Sequence, residues 1–114
     1  MPYIAVNTVQ KLSEEKREKI KAEFGRLISI IPTKNEAGLL VDFSGDRVLY
    51  KGGAKVNGAF VELRLFHKTD FAAKKKFTEE VFALFSRELG IEQGNMYLNI
   101  LEFDEWGTGG TLKQ

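Results

Sequence analysis

Apolar and polar positions alternate in several short runs of this chain, and between the runs apolar residues recur every three to four positions. Pro2–Thr8 alternates, with Tyr3, Ala5 and Asn7 on one face and Ile4, Val6 and Thr8 on the other, the period-two signature of a strand. Ser13 is placed to cap a helix whose positive end Glu14 and Glu15 complement. Ile20, Phe24, Leu27, Ile28 and Ile31 mark one face of that helix, and Pro32 stops it, because the ring disfavours helical geometry at the preceding residue. Gly38–Phe43 reads as a second strand closed by Ser44-Gly45-Asp46, and Arg47–Lys51 as a short further strand ended by a Gly52-Gly53 turn.

The pattern then restarts. Ala59–Phe66 alternates, with Ala59, Val61, Leu63 and Leu65 inward and Phe60, Glu62, Arg64 and Phe66 opposite. Asp70 is a second N-cap, Phe77, Val81, Leu84, Phe85 and Leu89 form a second helical stripe, and Gly90 stands where a C-cap glycine belongs. Met96–Phe103 is the last long strand, and the glycines after Trp106 read as a flexible tail without a phosphate-loop pattern. The expected fold is α+β: one domain over residues 1–114, with two βαβ units forming a four-stranded mixed sheet and both helices on one face. The other face then carries Tyr3, Asp42, Glu62, Arg64, Tyr97 and Asn99, a mixture that suits a site or a subunit interface.

Composition narrows the chemistry. A chain of 114 residues with 43% hydrophobic content fits one globular domain small enough to make oligomerisation a reasonable expectation. A net charge of +1 makes no case for nucleic acid or an anionic membrane. The absence of Cys excludes thiol nucleophiles, disulfides and cysteine-ligated metals. No run reaches the length of a membrane span and no charged-then-apolar leader opens the chain, so the expected location is the cytoplasm.

Several residues could carry chemistry, and each has a plainer reading. Loss of Met1 would turn the Pro2 nitrogen from a non-basic amide into a secondary amine. An α-amino group has an ordinary pKa of about 7.7–8.0, and apolar walls such as Phe66 and Trp106 would lower it toward a general base's range. On position alone Pro2 is more simply a small second residue that permits methionine trimming. Lys34 could clamp a carboxylate and depress that amine, or be a solvated loop lysine. Tyr97 and Asn99, two apart, present a hydroxyl and an amide to one face, for a ligand or for a neighbouring chain. Arg64 could grip a carboxylate bidentately or pair with Glu62 or Asp42, the latter being the simpler reading. His67, the only histidine, lacks partners for a metal site and reads as exposed, and Lys74–Lys76 as a solvated face.

The MPYIAVNT start, Lys34 beyond the first helix, the Tyr50–Gly53 YKGG turn and the Met96–Asn99 MYLN, in that order and spacing, resemble the macrophage migration inhibitory factor family of the tautomerase superfamily. The resemblance spans essentially the whole chain and implies a homotrimer with active sites at subunit boundaries and no cofactor or metal. It implies that Pro2, freed of Met1, is base and acid toward α-keto acids such as phenylpyruvate. It likewise implies that Lys34 and the Phe66 backbone N–H bind substrate, that Tyr97 and Asn99 come from the adjacent subunit, and that Tyr3 and Trp106 line the pocket mouth. Departures are the missing CxxC, Gly38 in place of an aromatic, Phe66 in place of a smaller aliphatic, Thr33-Lys34-Asn35 in place of Gly-Lys-Pro, and the ending WGTGGTLKQ. They bear on substrate range. Rival readings are a superfamily hydratase or dehalogenase, with Glu62 and Arg64 as candidate partners of Pro2, and a trimeric cytokine-like binding protein with a vestigial pocket.

Overall fold

In the computed structural model, which describes residues 1–114, the strands and helices run in chain order through ten elements. They are β1 (Pro2–Thr8), α1 (Glu14–Leu27), β2 (Leu40–Ser44), β3 (Tyr50–Lys51), β4 (Ala54–Lys55), β5 (Ala59–Phe66), α2 (Phe71–Leu89), β6 (Met96–Phe103), β7 (Trp106–Thr108) and β8 (Thr111–Lys113). Four strands form the main sheet in the order β2-β1-β5-β6. β1 and β2 are parallel, as are β5 and β6, and the two βαβ units meet antiparallel along β1 and β5, Pro2 opposite Leu65 and Thr8 opposite Ala59. The doubled unit and the mixed sheet stand as the periodicity required.

The alternation also sets the core. Ile4, Val6, Val61, Leu63 and Leu65 are fully buried in one cluster with Ile20, Phe24, Phe77, Val81 and Phe85, so both helices cover the same sheet face. Each such side chain contributes on the order of 1.5–3 kcal/mol by leaving water. The Ser13 hydroxyl accepts from the Lys16 N–H, and the Asp70 carboxylate from the Ala73 N–H. Gly90 adopts φ 63°, open to glycine without strain, and closes α2 through its N–H to the Ser86 carbonyl.

The structure departs from the sequence pattern at several points, the first being that α1 ends at Leu27 and passes into a 3-10 turn over Ile28–Ile30 ahead of Pro32. The second strand begins at Leu40, not Gly38, because the Asn35 side chain caps a 3-10 turn over Glu36–Gly38. The expected strand Arg47–Lys51 shrinks to Tyr50–Lys51, since only Ala54 and Lys55 fold back on it, while the Arg47 N–H turns away to the Thr8 carbonyl. The tail is no loose end: Gly109 and Gly110, at φ 59° and 83°, close a hairpin pairing Trp106 with Lys113. Lys74 leaves its expected solvated face, its ammonium lying 3.1 Å from the Glu102 carboxylate. No helix is long and apolar enough to cross a membrane.

Gly58 is fixed by packing against backbone, as is Gly45 against the Gln10 carbonyl oxygen. A Cβ on Gly58 would stand 2.7 Å from the Asn95 carbonyl oxygen. The Gly58 backbone cannot retreat freely, because its carbonyl accepts from the buried Thr8 hydroxyl at 3.0 Å and from the Val9 N–H at 3.4 Å. Gly58→Ala is expected to cost about 1–3 kcal/mol as an overpacked backbone contact, read from the urea midpoint; a change below about 0.5 kcal/mol would mean that the Asn95 turn yields freely.

Candidate active site

The chain brings an unusual set of groups together where β1 begins and β5 and β6 end. An open pocket of ≈ 540 Å³ is lined there by Met1, Pro2, Tyr3, Gly38, Leu40, Arg64, Phe103, Glu105, Trp106, Gly107 and Thr108. Its position follows from register: Tyr3 lies opposite Leu40 on one side and Arg64 on the other, and Phe66 lies opposite Phe103. The β7–β8 hairpin supplies the remaining wall. Trp106 packs against Phe66 with ring centroids 6.2 Å apart and edge-on to Phe103 at 6.3 Å, so Phe66 is 7% exposed although its strand face is otherwise open.

Lys34 sits just beyond the first helix and returns to this end of the sheet. Its ammonium donates to the Phe66 carbonyl at 2.8 Å. The His67 N–H bonds the Phe103 carbonyl, so residue 67 points its backbone groups at β6, and the period-two alternation turns those of Phe66 toward the start of β1. The Phe66 N–H and the Lys34 ammonium therefore share one side. Left-handed backbone flanks the contact: Thr33 has φ 68° and His67 has φ 74°. For a β-branched or bulky residue that conformation costs on the order of 1–3 kcal/mol, and such strain concentrates at functional sites.

Met1, which carries the α-amino group, lines the pocket. The pKa of that group lies below the ordinary 8.0, chiefly through burial, then through the Lys34 charge and the Lys34 side-chain contact. In the trimmed chain the amine would be the Pro2 nitrogen, one residue further in, where Pro2 itself is buried. Tyr3 donates its hydroxyl to Asp42 at 2.7 Å, and that bond, with burial and the Asp42 charge, raises the phenol above its ordinary 10.0. Gly38 borders the N-terminus: a Cβ there would meet the Met1 Cα at 3.8 Å and the Pro2 Cδ at 4.0 Å, ordinary contacts, so its missing side chain leaves that wall open.

Pro2, Tyr3, Arg64 and Trp106 line this pocket; Lys34 and Phe66 are not in its lining but border it, Phe66 through its ring contact with Trp106 and Lys34 through its bond to the Phe66 carbonyl and its approach to the Met1 amine. Tyr97 and Asn99 lie elsewhere in the chain. Tyr97 is opposite Phe60, five residues from the point opposite Pro2, roughly 17 Å along the sheet, and Asn99 is opposite Glu62. Tyr97 is 54% exposed beside Lys51 and the β3–β4 turn. Arg64 approaches Glu62 at 3.8 Å and lies over the Tyr3 ring at 5.7 Å, so it reaches the pocket while keeping the expected acidic neighbour. His67 is exposed at the end of β5, its ring against Phe66 at 3.8 Å. Sequence reasoning missed Phe103, Glu105 and Thr108. The paired glycines after Thr108 repeat the signal of Gly52-Gly53, and reading them as a turn would have folded this segment back. A second depression of ≈ 490 Å³, between α2 and β6, has its charges already paired, Lys74 with Glu102 and Lys75 with Glu79.

No protein-family model and no curated protein matches this sequence. Solved structures do. MIF2 of Leishmania major superimposes with a TM-score of 0.92 at 21% identity, covering 99% of this chain and 97% of that one. A macrophage migration inhibitory factor-like protein of Entamoeba histolytica gives 0.86 at 22% identity, covering 98% of each chain. Pt0534, in a form inactivated by 2-oxo-3-pentynoate, gives 0.83 at 13% identity, covering 95% of this chain and 93% of that one. At these identities the likeness establishes the fold.

Proposed function

On the premise that this chain has the fold of the macrophage migration inhibitory factor-like tautomerases, we propose that it is a cofactor-independent keto–enol tautomerase of α-keto acids with Pro2 as its base. The observation that carries the reading is the environment of the N-terminus: burial and Lys34 bias the Met1 α-amine toward its neutral form, and Pro2, which would carry the amine once Met1 is lost, is buried in the wall of the same pocket. Neutral Pro2 takes a proton from the carbon next to the carbonyl, and the electron pair moves to the carbonyl oxygen. The Lys34 ammonium and the Phe66 N–H, on one side of the site, stabilise the enolate and hold the carboxylate. Prolinium then returns its proton to oxygen or carbon, completing the isomerisation. That Pt0534 is inactivated by a 2-oxo acid supports this substrate class for the fold.

Tyr97 and Asn99 enter through a second copy of the chain. β6 is an edge strand, and Leu40, Tyr97, Leu101 and Phe103 are 39–65% exposed beside it or on the open face. An apolar surface of this kind favours assembly, and a homotrimer would place one subunit's Tyr97 and Asn99 at its neighbour's pocket, with Tyr3 and Trp106 at the mouth.

Phenylpyruvate tautomerisation, followed by ultraviolet absorbance on protein verified by intact mass to begin at Pro2, tests the reading. The pH profile carries a sign. The active form is the unprotonated amine, so kcat/KM should rise with pH through a single limb and then level. Burial and the Lys34 charge, which lower the amine on Met1, act in the same direction on a Pro2 amine, so the limb should move to higher pH in Lys34→Gln. A profile that falls with pH over this range, or no turnover at all, would count against Pro2 as the base.

A further inference from the structure

Arg64 is the one cationic side chain lining this pocket, and its contact with a carboxylate is long. It lines the same wall as Pro2, one strand over and one residue along, since Pro2 pairs with Leu65 and Tyr3 with Arg64. Its nearest carboxylate oxygen, Glu62 Oε1, is 3.8 Å from the guanidinium, beyond hydrogen-bond reach. The other Glu62 oxygen is already engaged by the Asn7 side-chain amide at 3.0 Å. Tyr3, fixed through its hydroxyl to Asp42, offers its ring face 5.7 Å from the guanidinium and steadies its position. The Arg64 side chain is 46% exposed and presents a planar fork of donors suited to a carboxylate.

A 2-oxo acid with a single carboxylate, held at Lys34 and Phe66, would leave that fork unused. We propose that the pocket selects 2-oxo acids bearing a second carboxylate, which Arg64 receives while the first lies at Lys34. The inference rests on the reading of Pro2 as base. Gly38 leaves the room that a longer chain needs beside the N-terminus. Glu105 is the one carboxylate lining the pocket and opposes a dianion, so it limits the preference that Arg64 creates.

Two five-carbon acids of matched length test this: 2-oxoglutarate, which ends in a carboxylate, and 2-oxopentanoate, which ends in a methyl group. The C3–H bond breaks, the proton passes to Pro2, and after exchange with solvent a deuteron returns to C3. Exchange in D2O is followed by proton NMR and normalised to the uncatalysed rate. The protein beginning at Pro2 is expected to favour the diacid at least tenfold in kcat/KM. Arg64→Gln should lower the diacid-to-monoacid ratio at least tenfold, Arg64→Lys should keep part of it, and Glu105→Gln should raise it. If phenylpyruvate turns over but the diacid shows no advantage, or neither five-carbon acid exchanges, the inference is overturned and the Pro2 reading stands. If Arg64→Gln lowers both acids equally or changes the oligomeric state, Arg64 serves assembly and the inference again falls. If no substrate, phenylpyruvate included, responds to protein whose N-terminus is verified, the Pro2 reading itself fails.

Discussion

A chain that keeps Met1 is expected to lose tautomerase turnover by about 10²–10⁴-fold, the range that a positioned general base contributes. The reason lies in one atom. With Met1 attached, the Pro2 nitrogen is a tertiary amide with its lone pair delocalised into the carbonyl, and it cannot hold a proton at any working pH. The α-amine then belongs to Met1, one residue nearer solvent, and the Met1 side chain occupies part of the pocket wall. A lysine inserted between Met1 and Pro2 makes the second residue too large for trimming and produces such a chain. Intact mass defines the terminus, and an unchanged Tm shows that the fold is untouched. Pro2→Gly is the complementary variant. It keeps an amine at the right place but makes it primary and removes the ring that fixes its direction, so kcat should fall by at least about tenfold, less than the loss expected when Met1 blocks the nitrogen. Turnover indifferent to both changes would move the base away from the amine altogether.

Phe24→Ala should be the most destabilising of the substitutions considered, at about 3–5 kcal/mol. Phe24 on α1 and Phe85 on α2 are both fully buried, with ring centroids 5.9 Å apart and planes at 50°. Their contact is the seam that joins two helices contributed by the two separate βαβ units. Truncation removes the transfer energy of the ring, leaves a cavity between helices anchored at both ends, and forfeits the aromatic pair's further ~0.5–1.5 kcal/mol. Against a typical total of roughly 5–15 kcal/mol, that loss should lower Tm by more than 10 °C or leave the chain unfolded at 37 °C. Leu84→Val, in the same buried cluster, should cost less, roughly 1 kcal/mol. The pocket lies at the end of the sheet, away from this seam, so protein that remains folded at low temperature should keep kcat/KM within a few-fold. Loss below about 1 kcal/mol for Phe24→Ala would mean that the helices do not pack through these rings.

Local pattern settled a large part of this protein. Alternation placed the inward faces of β1 and β5, because successive side chains of a strand must leave on opposite sides, and the buried Ile4, Val6, Val61, Leu63 and Leu65 follow that rule. Ser13, Asp70 and Gly90 ended helices where their own chemistry ends them. Pro2 directly after Met1 is legible in the first residues, and the proposed base rests on that placement.

What the sequence could not settle was everything decided by partners distant along the chain. A run such as Arg47–Lys51 becomes strand only as far as another segment completes its ladder, and two residues of β4 do so. Gly109-Gly110 signals a turn but not that the hairpin it closes, pairing Trp106 with Lys113, will fold over the end of the sheet and bring Glu105 and Thr108 into the pocket. Lys34 meets the Phe66 carbonyl across 32 positions, and Arg64 meets Tyr3 and Glu62 only through the antiparallel register of β1 on β5 and the span of its own strand. Periodicity acts within a few residues and assigns a face. Which groups share that face is set by strand order and register, and those arise only when the two units pack their helices against one sheet.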